Sequence, residues 1–290
     1  MNPARERPID GPARAARGEA GAGASTAFAV PGPGDSLRLG PLRVDAVTRQ
    51  QALAAVEALV AAGRGGAVFT PNVDHVVLAT EDERMRRAYE RADLSLADGM
   101  PLVWASHLLG QPLPEKISGS DFVPLLLERA AELDWRVYFL GAAPGVAALA
   151  RDRLRRQLPR LQVVGVDAPH IDLADPPAAR TAITARVAAA GPQLVFVALG
   201  APKQEIWIDQ VRDELRPSVL LGVGASLDFV AGTMPRAPVW MSRLGLEWTF
   251  RLSREPRRLW SRYLLRDPKF VLVVGRALRD RLRDRPRAPR

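Results

Sequence analysis

The chain has 290 residues, enough to bury a substantial core, and no cysteine, which excludes a disulfide scaffold, thiolate catalysis and cysteine-based zinc sites. The net charge of +9 is concentrated in residues 236–290, where 16 Arg plus Lys face 5 Asp plus Glu and leave −2 for the rest. Such a basic segment predicts a polyanionic partner, either nucleic acid or an anionic membrane surface. His75, His107 and His170 show no metal-site spacing, so we expect no protein-bound metal; His75, next to Asp74, is interpreted as structural.

Residues 1–36 are rich in Ala, Gly, Pro and Arg without apolar periodicity, and they are predicted to be a disordered tail. They contain no apolar stretch typical of a secretory signal, which favours a cytoplasmic location. The pattern then predicts a small strand pair over residues 39–47. Thr48 is the predicted cap of a helix that ends at Gly63.

Polar side chains follow the first strand of the main domain. Residues 67–69 form a short apolar strand that ends at Thr70-Pro71-Asn72, and a helix is predicted over residues 73–80. The side chains of Thr70 and Asn72 are candidates to contact a ligand. Capping of the following helix is the alternative role for both.

A carboxylate stands at the end of the next strand. Asp98 lies two residues after the apolar-leaning run 92–96. Gly99 permits a sharp turn, and Pro101 has the backbone angle of a first helical turn, so a helix is predicted over residues 102–109. The carboxyl edge of an open α/β sheet is where ligands bind, so Asp98 is a candidate catalytic residue. An ordinary Asp-Gly turn is the alternative.

The rest of the main domain alternates apolar strands with helices. A helix is predicted to begin at Asp121. Further strands are predicted over residues 136–141, 161–166, 193–199 and 218–224. This alternation predicts an α/β fold, with a Rossmann-like, mostly parallel sheet covered by helices on both faces and a basic helical C-terminal appendage. The glycine-rich turns lack the G-x-G-x-x-G spacing, so the fold alone does not predict NAD binding.

The turn after the most apolar strand is a candidate anion site. Gly200 allows close approach of the backbone to a ligand, and Pro202 begins a helix whose N-terminus presents unpaired N–H groups. Lys203 adds a full positive charge. The turn is therefore predicted to hold an anion such as a diphosphate, with an ordinary strand-to-helix turn as the alternative.

Aromatic and basic residues interleave towards the C-terminus. The spacing of Arg251, Arg254, Arg258 and Arg262 predicts that they share one helical face. Residues 270–274 are apolar but far short of the ~20 residues that span a bilayer. We therefore expect three regions: the tail, a catalytic domain over residues 37–240, and an interfacial amphipathic segment over residues 241–290, for which a solvated basic helix is the alternative.

Six motifs follow one another along the chain. They are Thr70-Pro71-Asn72, Ala97-Asp98-Gly99-Met100-Pro101, Gly119-Ser120-Asp121, Gly200-Ala201-Pro202-Lys203-Gln204-Glu205, Arg236-Ala237-Pro238 and the run from Glu247-Trp248 to Tyr263. In this order, the motifs resemble those of the WecG/TagA/CpsF family of bacterial glycosyltransferases over roughly residues 37–263. The resemblance implies inverting, metal-independent transfer of an N-acetylmannosamine-type or related hexose. The donor would be a UDP-sugar and the acceptor a polyprenyl-diphosphate-linked sugar at the cytoplasmic membrane face, for cell-surface polysaccharide synthesis without a cofactor.

The resemblance also implies roles for single residues. Asp98 matches the base that removes the proton of the acceptor hydroxyl, Thr70 and Asn72 lie near the transferred sugar, and Gln204 belongs to the donor site. Lys116 stands where the family usually carries Arg, which keeps the charge but not the planar two-pronged grip. The other residues expected to bind substrate are Gly200, Lys203 and Arg236, and those expected to meet the lipid diphosphate at an anionic membrane surface are Arg251, Arg258 and Arg262.

Two other functional classes stay open from sequence. A nucleic-acid-binding protein would use the basic residues 236–290. Polar motifs at several strand ends and the −2 charge of the preceding residues disfavour this class. An NAD(P)-dependent oxidoreductase would use the same sheet without its usual fingerprint. The identity of the sugar and the possibility of a homo-oligomer are also open.

Overall fold

Six parallel strands form the central sheet in the computed structural model, which describes residues 36–173 and 177–283. In chain order the strands are β1 (Ser36–Leu39), β2 (Leu42–Asp45), β3 (Gly66–Phe69), β4 (Leu94–Ser95), β5 (Arg136–Gly141), β6 (Gln162–Asp167), β7 (Leu194–Ala198) and β8 (Val219–Gly222). The first two pair as an antiparallel ribbon. The others lie in the order β4-β3-β8-β7-β5-β6, with every neighbouring pair parallel.

Helices connect and cover these strands. They are α1 (Arg49–Ala62), α2 (Val73–Glu81), α3 (Glu83–Glu90), α4 (Met100–Leu108), α5 (Gly119–Glu132), α6 (Val146–Gln157), α7 (Pro177–Ala190), α8 (Lys203–Val211), α9 (Ser226–Ala231), α10 (Val239–Arg243), α11 (Glu247–Arg254), α12 (Pro256–Ser261) and α13 (Lys269–Arg283), with a π-helical turn (Arg262–Arg266) before α13. Across the described ranges, no helix has both the length and the apolarity needed to cross a bilayer.

The central strand β7 shows why helices cover both faces of the sheet. Its side chains alternate between two hydrophobic clusters, with Leu194 and Phe196 in one and Val195 and Val197 in the other. All four are fully buried, and burying one large apolar side chain stabilises the fold by about 1.5–3 kcal/mol. The predicted α/β fold with a parallel, doubly covered sheet is confirmed.

Some predicted boundaries differ from the structure. The strand predicted over residues 92–96 shortens to β4, which lies at the edge of the sheet and pairs with β3. The helix expected to start at Asp121 begins at Gly119, because the Phe122 N–H already donates to the Ser118 carbonyl at 2.9 Å. The strand pair expected over residues 39–47 is the ribbon of β1 and β2. The predicted tail over residues 1–36 lies outside the described residues except for Ser36, which begins β1.

The prediction that four arginines share one helical face is wrong. Arg251 and Arg254 belong to α11, Arg258 belongs to α12, and Arg262 begins the π-helical turn. The helix breaks at Pro256, which has no N–H to continue the hydrogen-bond ladder.

The C-terminal helix packs against the main body of the protein. Phe270, Val273 and Val274 of α13 are buried in the same hydrophobic cluster as side chains of β1 and α2. Contact with the ribbon is close, since a Cβ added to Gly40, which has φ +56°, would lie 2.8 Å from Cγ1 of Val273. The boundary expected at residue 240, between the catalytic domain and the interfacial segment, falls inside α10.

The packing of α13 can be tested at Gly40. We expect Gly40→Ala to destabilise the protein by about 1–2 kcal/mol for its left-handed backbone and by roughly 1–3 kcal/mol more for the contact with Val273. Gly63→Ala is the matched control, because Gly63 has φ +63° but no atom within 4 Å of the added Cβ. Urea unfolding measures both losses. Equal losses, or no relief in a Gly40→Ala/Val273→Ala double variant, would contradict this packing.

Candidate functional site

A cavity of about 830 Å³ opens at the carboxyl ends of the sheet strands. Each of the six parallel strands delivers residues to its wall, as expected for ligand binding in open α/β sheets. The lining residues that follow β3 to β8 are, in that order, Thr70, Asp98, Ala142, Pro169 to Ile171, Gly200 and Gly224. The C-terminal segment closes another side of the same cavity.

Backbone pairing places Asp98 beside the end of β3. The ladder between β3 and β4 continues past the strands, because the Asp98 N–H donates to the Pro71 carbonyl at 2.8 Å. On the other side, the Ile117 N–H donates to the Ala97 carbonyl at 2.8 Å, which brings the loop carrying Lys116 to the same edge. Gly99, with φ +121°, then turns the chain into α4.

The environment of Asp98 changes its acidity. Asp98 is half-buried and lines the cavity, and desolvation by the surrounding protein atoms raises the pKa of its carboxyl to about 6. The negative charge of Glu247 raises the pKa further, whereas Lys116, Arg251 and His75 lower it. The group is therefore mainly ionised at pH 7, with a pKa close to neutrality that suits proton transfer.

Asn72 combines two functions. Its Oδ1 caps α2 by accepting the His75 N–H at 3.4 Å, and it also accepts a hydrogen bond from Nη2 of Arg262 at 3.1 Å. Helix capping, one of the two roles that the sequence allowed for Asn72, is therefore observed. The residue also lines the cavity. Thr70, at the end of β3, donates to the Gly222 carbonyl at 3.4 Å and lines the same wall.

The turn after β7 also lines the cavity. Gly200 adopts φ +74°, and α8 begins at Lys203, whose Nζ donates to the Ile171 carbonyl at 3.1 Å. Gln204 is buried: its Nε2 donates to Oε1 of Glu205 at 2.7 Å. Its Oε1 accepts the Gly224 N–H at 3.0 Å, so one side chain ties the ends of β7 and β8 together.

Lys116 and Arg236 occupy different positions relative to the cavity. Lys116 lines it, with Nζ 3.7 Å from Oε2 of Glu247 and 3.8 Å from Oδ2 of Asp121. Arg236 is not among the lining residues. It pairs with Asp121 at 3.4 Å and donates to the carbonyl of Ser120, so it contacts the loop beside the cavity.

The C-terminal arginines converge on the cavity even though they do not share a helical face. Arg251, Arg258 and Arg262 all line it, from α11, α12 and the π-helical turn respectively. Each of these elements contributes a cation to one enclosed volume. Tertiary packing, rather than helical periodicity, brings the three charges together.

Several lining residues were missed by the sequence analysis. They are His75 and Asp74 on α2, Arg266 and Asp267 near the π-helical turn, and Trp248 on α11. The sequence did contain a signal for the first two, because the first turn of a helix that begins at a strand's carboxyl end faces the site. Their interpretation as purely structural omitted this position. Over the ranges that the structure describes, no cluster of three His, Asp or Glu could hold a metal ion.

Comparison with known proteins reveals extensive similarity. Residues 37–286 match the sequence model of the glycosyl transferase WecG/TagA/CpsF family. Similar proteins, each named N-acetylglucosaminyldiphosphoundecaprenol N-acetyl-beta-D-mannosaminyltransferase, occur in Bacillus spizizenii (34% identical, covering 73% of this chain and 79% of the relative), Bacillus subtilis (32%, covering 72% and 79%) and Staphylococcus aureus strain MW2 (31%, covering 73% and 80%).

The charges around Asp98 predict how its pKa responds to substitution. Glu247→Gln removes a like charge and is expected to lower the pKa of Asp98, whereas Lys116→Met removes an opposite charge and is expected to raise it. Carboxyl carbon chemical shifts followed from pH 4 to about pH 8 measure both values. Substitution of Glu132, which lies away from the cavity on α5, by Gln is the control. Shifts in the opposite directions would contradict this electrostatic arrangement.

Proposed function

Because the chain belongs to the WecG/TagA/CpsF family of glycosyltransferases, we propose that it transfers an N-acetylmannosamine-type sugar from a UDP-sugar to a polyprenyl-diphosphate-linked sugar. The curated relatives are named for transfer of N-acetylmannosamine to N-acetylglucosaminyldiphosphoundecaprenol. Family membership sets aside the nucleic-acid-binding and NAD(P)-dependent alternatives. The observation that carries the proposal is a carboxylate, Asp98, at one wall of a cavity rimmed by arginines.

The proposed reaction is a single displacement at the anomeric carbon. The acceptor hydroxyl attacks from the face opposite UDP, its oxygen forms the new glycosidic bond, and the bond to UDP breaks with its electron pair leaving on the diphosphate. Attack from that face inverts the configuration. Asp98 takes the hydroxyl proton, and its pKa of about 6 supports this role because the carboxylate is mainly ionised at pH 7 and still basic.

Leaving UDP carries developing negative charge, and the turn at Gly200 offers positive potential for it. The N-terminus of α8 lies in the cavity wall, and Lys203 adds a cation there. Gln204, held between Glu205 and Gly224, gives this wall a fixed shape. We assign these residues to the donor, with Thr70 and Asn72 near the transferred sugar. Arg236 would act only through the loop at Ser120.

The acceptor carries a second diphosphate, which requires further cations. Arg251, Arg258 and Arg262 line the cavity from the C-terminal segment. Arginine binds phosphate oxygens in a planar, two-pronged geometry, which suits a diphosphate. We therefore assign the donor diphosphate to the sheet edge and the lipid diphosphate to the C-terminal arginines.

The C-terminal segment is also proposed to contact an anionic membrane at its cytoplasmic face. It exposes a group of large apolar side chains between its arginines: Leu244, Trp248, Trp260, Leu264, Leu265, Val271 and Leu272. Tryptophan and arginine together suit a membrane interface, where one part of the side chain is apolar and the other is solvated. In this proposal residues 37–240 form the catalytic domain and residues 241–290 the membrane-association segment, of which 284–290 lie outside the described residues.

The proposed base is tested by Asp98→Asn, which keeps the shape of the side chain but cannot accept the proton. Transfer from UDP-N-acetylmannosamine to a short-chain polyprenyl-diphosphate-N-acetylglucosamine is expected to fall by about 10²- to 10⁴-fold in kcat, while UDP still binds. Asp213→Asn is the matched control, since Asp213 pairs with Arg91 and Arg216 outside the cavity. Full activity of Asp98→Asn would refute the assignment.

Membrane contact is tested by sedimentation with vesicles. The double variant Trp260→Ala/Leu265→Ala is expected to bind vesicles containing anionic lipid about tenfold or more weakly, because each lost side chain contributes on the order of 1.5–3 kcal/mol when fully buried. Leu149→Ala, which removes an exposed leucine on α6, should bind like the unaltered protein. Binding should also weaken as salt rises. Equal binding by the double variant and the control would contradict the proposal.

A further inference from the structure

Asp74 brings two arginines of the C-terminal segment to the cavity. It lies in the first turn of α2 with only 3% of its surface exposed. Its Oδ2 is 3.3 Å from Nε of Arg262, and its Oδ1 is 3.0 Å from Nε of Arg266. Asp267 adds a more distant contact, with Oδ2 3.9 Å from Nε of Arg262. All four residues line the cavity.

The ion pairs leave hydrogen-bonding capacity unused. Nε of Arg262 is a buried donor that makes no hydrogen bond of good geometry within the described residues, and it meets Oδ2 of Asp74 as an ion pair at 3.3 Å. A buried donor without a well-aligned acceptor is unfavourable. An anion with several oxygens, such as a diphosphate, would accept hydrogen bonds from guanidinium groups held here.

Arg262 has a second anchor on the same turn of α2. Its Nη2 donates to Oδ1 of Asn72 at 3.1 Å, and Nδ1 of His75 lies 2.8 Å from the same oxygen. The other ring nitrogen of His75 is 3.2 Å from Oε1 of Glu205, and both side chains are buried. This chain of contacts joins α8 to the π-helical turn and holds Arg262 at two points.

We propose that Asp74 is a positioning residue that holds Arg262 and Arg266 ready for the diphosphate of the lipid-linked acceptor. Free arginine side chains carry substantial rotamer entropy, and restricting them before the ligand arrives removes part of that entropic cost from binding. Arg251 and Arg258 line the same cavity and offset the charges of Asp74 and Asp267, so the group still attracts an anion. The inference rests on the proposed function, which assigns the lipid diphosphate to these arginines.

Asp74→Asn tests this with inorganic pyrophosphate as the probe in calorimetry and with hydrogen exchange of residues 262–267. We expect pyrophosphate to bind about tenfold more weakly and the exchange to accelerate. Glu81→Gln is the matched control: Glu81 joins the same helix to α13 through Lys269 at 2.6 Å, but both side chains are about half exposed, and such a pair contributes little. Asp74→Glu keeps the charge and should show an intermediate loss.

Unchanged or tighter pyrophosphate binding in Asp74→Asn would overturn the proposal, as would an equal effect of Glu81→Gln or no pyrophosphate binding by the unaltered protein. If Asp74→Asn does not fold, Asp74→Glu decides the question by the same two measurements. Its predicted result is a smaller but measurable loss of affinity with faster exchange, and unaltered values would overturn the role of Asp74.

Steady-state kinetics of Asp74→Asn with the lipid-linked acceptor distinguish a positioning role of Asp74 from a general loss of native structure. Loss of binding that is equal in the ground and transition states raises the acceptor KM, here by about tenfold, and leaves kcat nearly unchanged. A fall in kcat at constant acceptor KM would overturn the proposal. If the unaltered protein transfers no sugar from any donor, the proposed function fails, and the pyrophosphate and exchange measurements still decide the role of Asp74.

Discussion

Coverage of the parallel sheet on both faces is the constraint on which the rest of the structure depends. The central strands β7 and β8 are fully buried on both sides, so no ligand can approach them face-on. Their ends are the accessible part, and at the carboxyl end the chain leaves each strand through a turn. The cavity forms where six such turns meet, and its polar residues come from sequence positions more than 150 residues apart, such as Thr70 and Ser226.

The same burial shapes the chemistry of the cavity. Asp98 follows an edge strand but is enclosed by the loop at Lys116 and by α11, so desolvation outweighs its neighbouring cations and raises the pKa to about 6. Asp267, near the start of α13, shows the same balance, with desolvation raising its pKa to about 6 against the opposing charge of Arg262. Carboxyl groups with pKa values near neutrality therefore occur on the sheet side and on the C-terminal side of one volume.

The C-terminal segment forms part of the cavity as well as part of the surface. Its helix α13 is anchored in the hydrophobic core by Phe270, Val273 and Val274, while α11, α12 and the π-helical turn supply arginines to the cavity. The outer side of the segment exposes tryptophan and leucine. This arrangement links the proposed lipid-binding surface directly to the proposed reaction site, without an intervening linker.

The amino-acid sequence by itself determined the sheet and the family, and all of its predicted site residues except Arg236 line the cavity. Continuous apolar strands such as residues 194–198 predict a doubly covered parallel sheet, because the period and polarity of each element are local properties. Candidate site residues shortly after the strands, such as Asp98 and Gly200, could be identified for the same reason. The motifs then matched one family over most of the chain.

The tertiary structure decided the strand order, the position of the C-terminal arginines and the role open to Asp74. Periodicity predicted a single arginine face, but Pro256 divides the helix, and only packing of separate elements brings Arg251, Arg258 and Arg262 together. Asp74 is separated from Arg262 by almost two hundred residues, so nothing local indicates that they pair. Local patterns specify elements and their ends. Contacts between distant elements depend on how the whole core is filled.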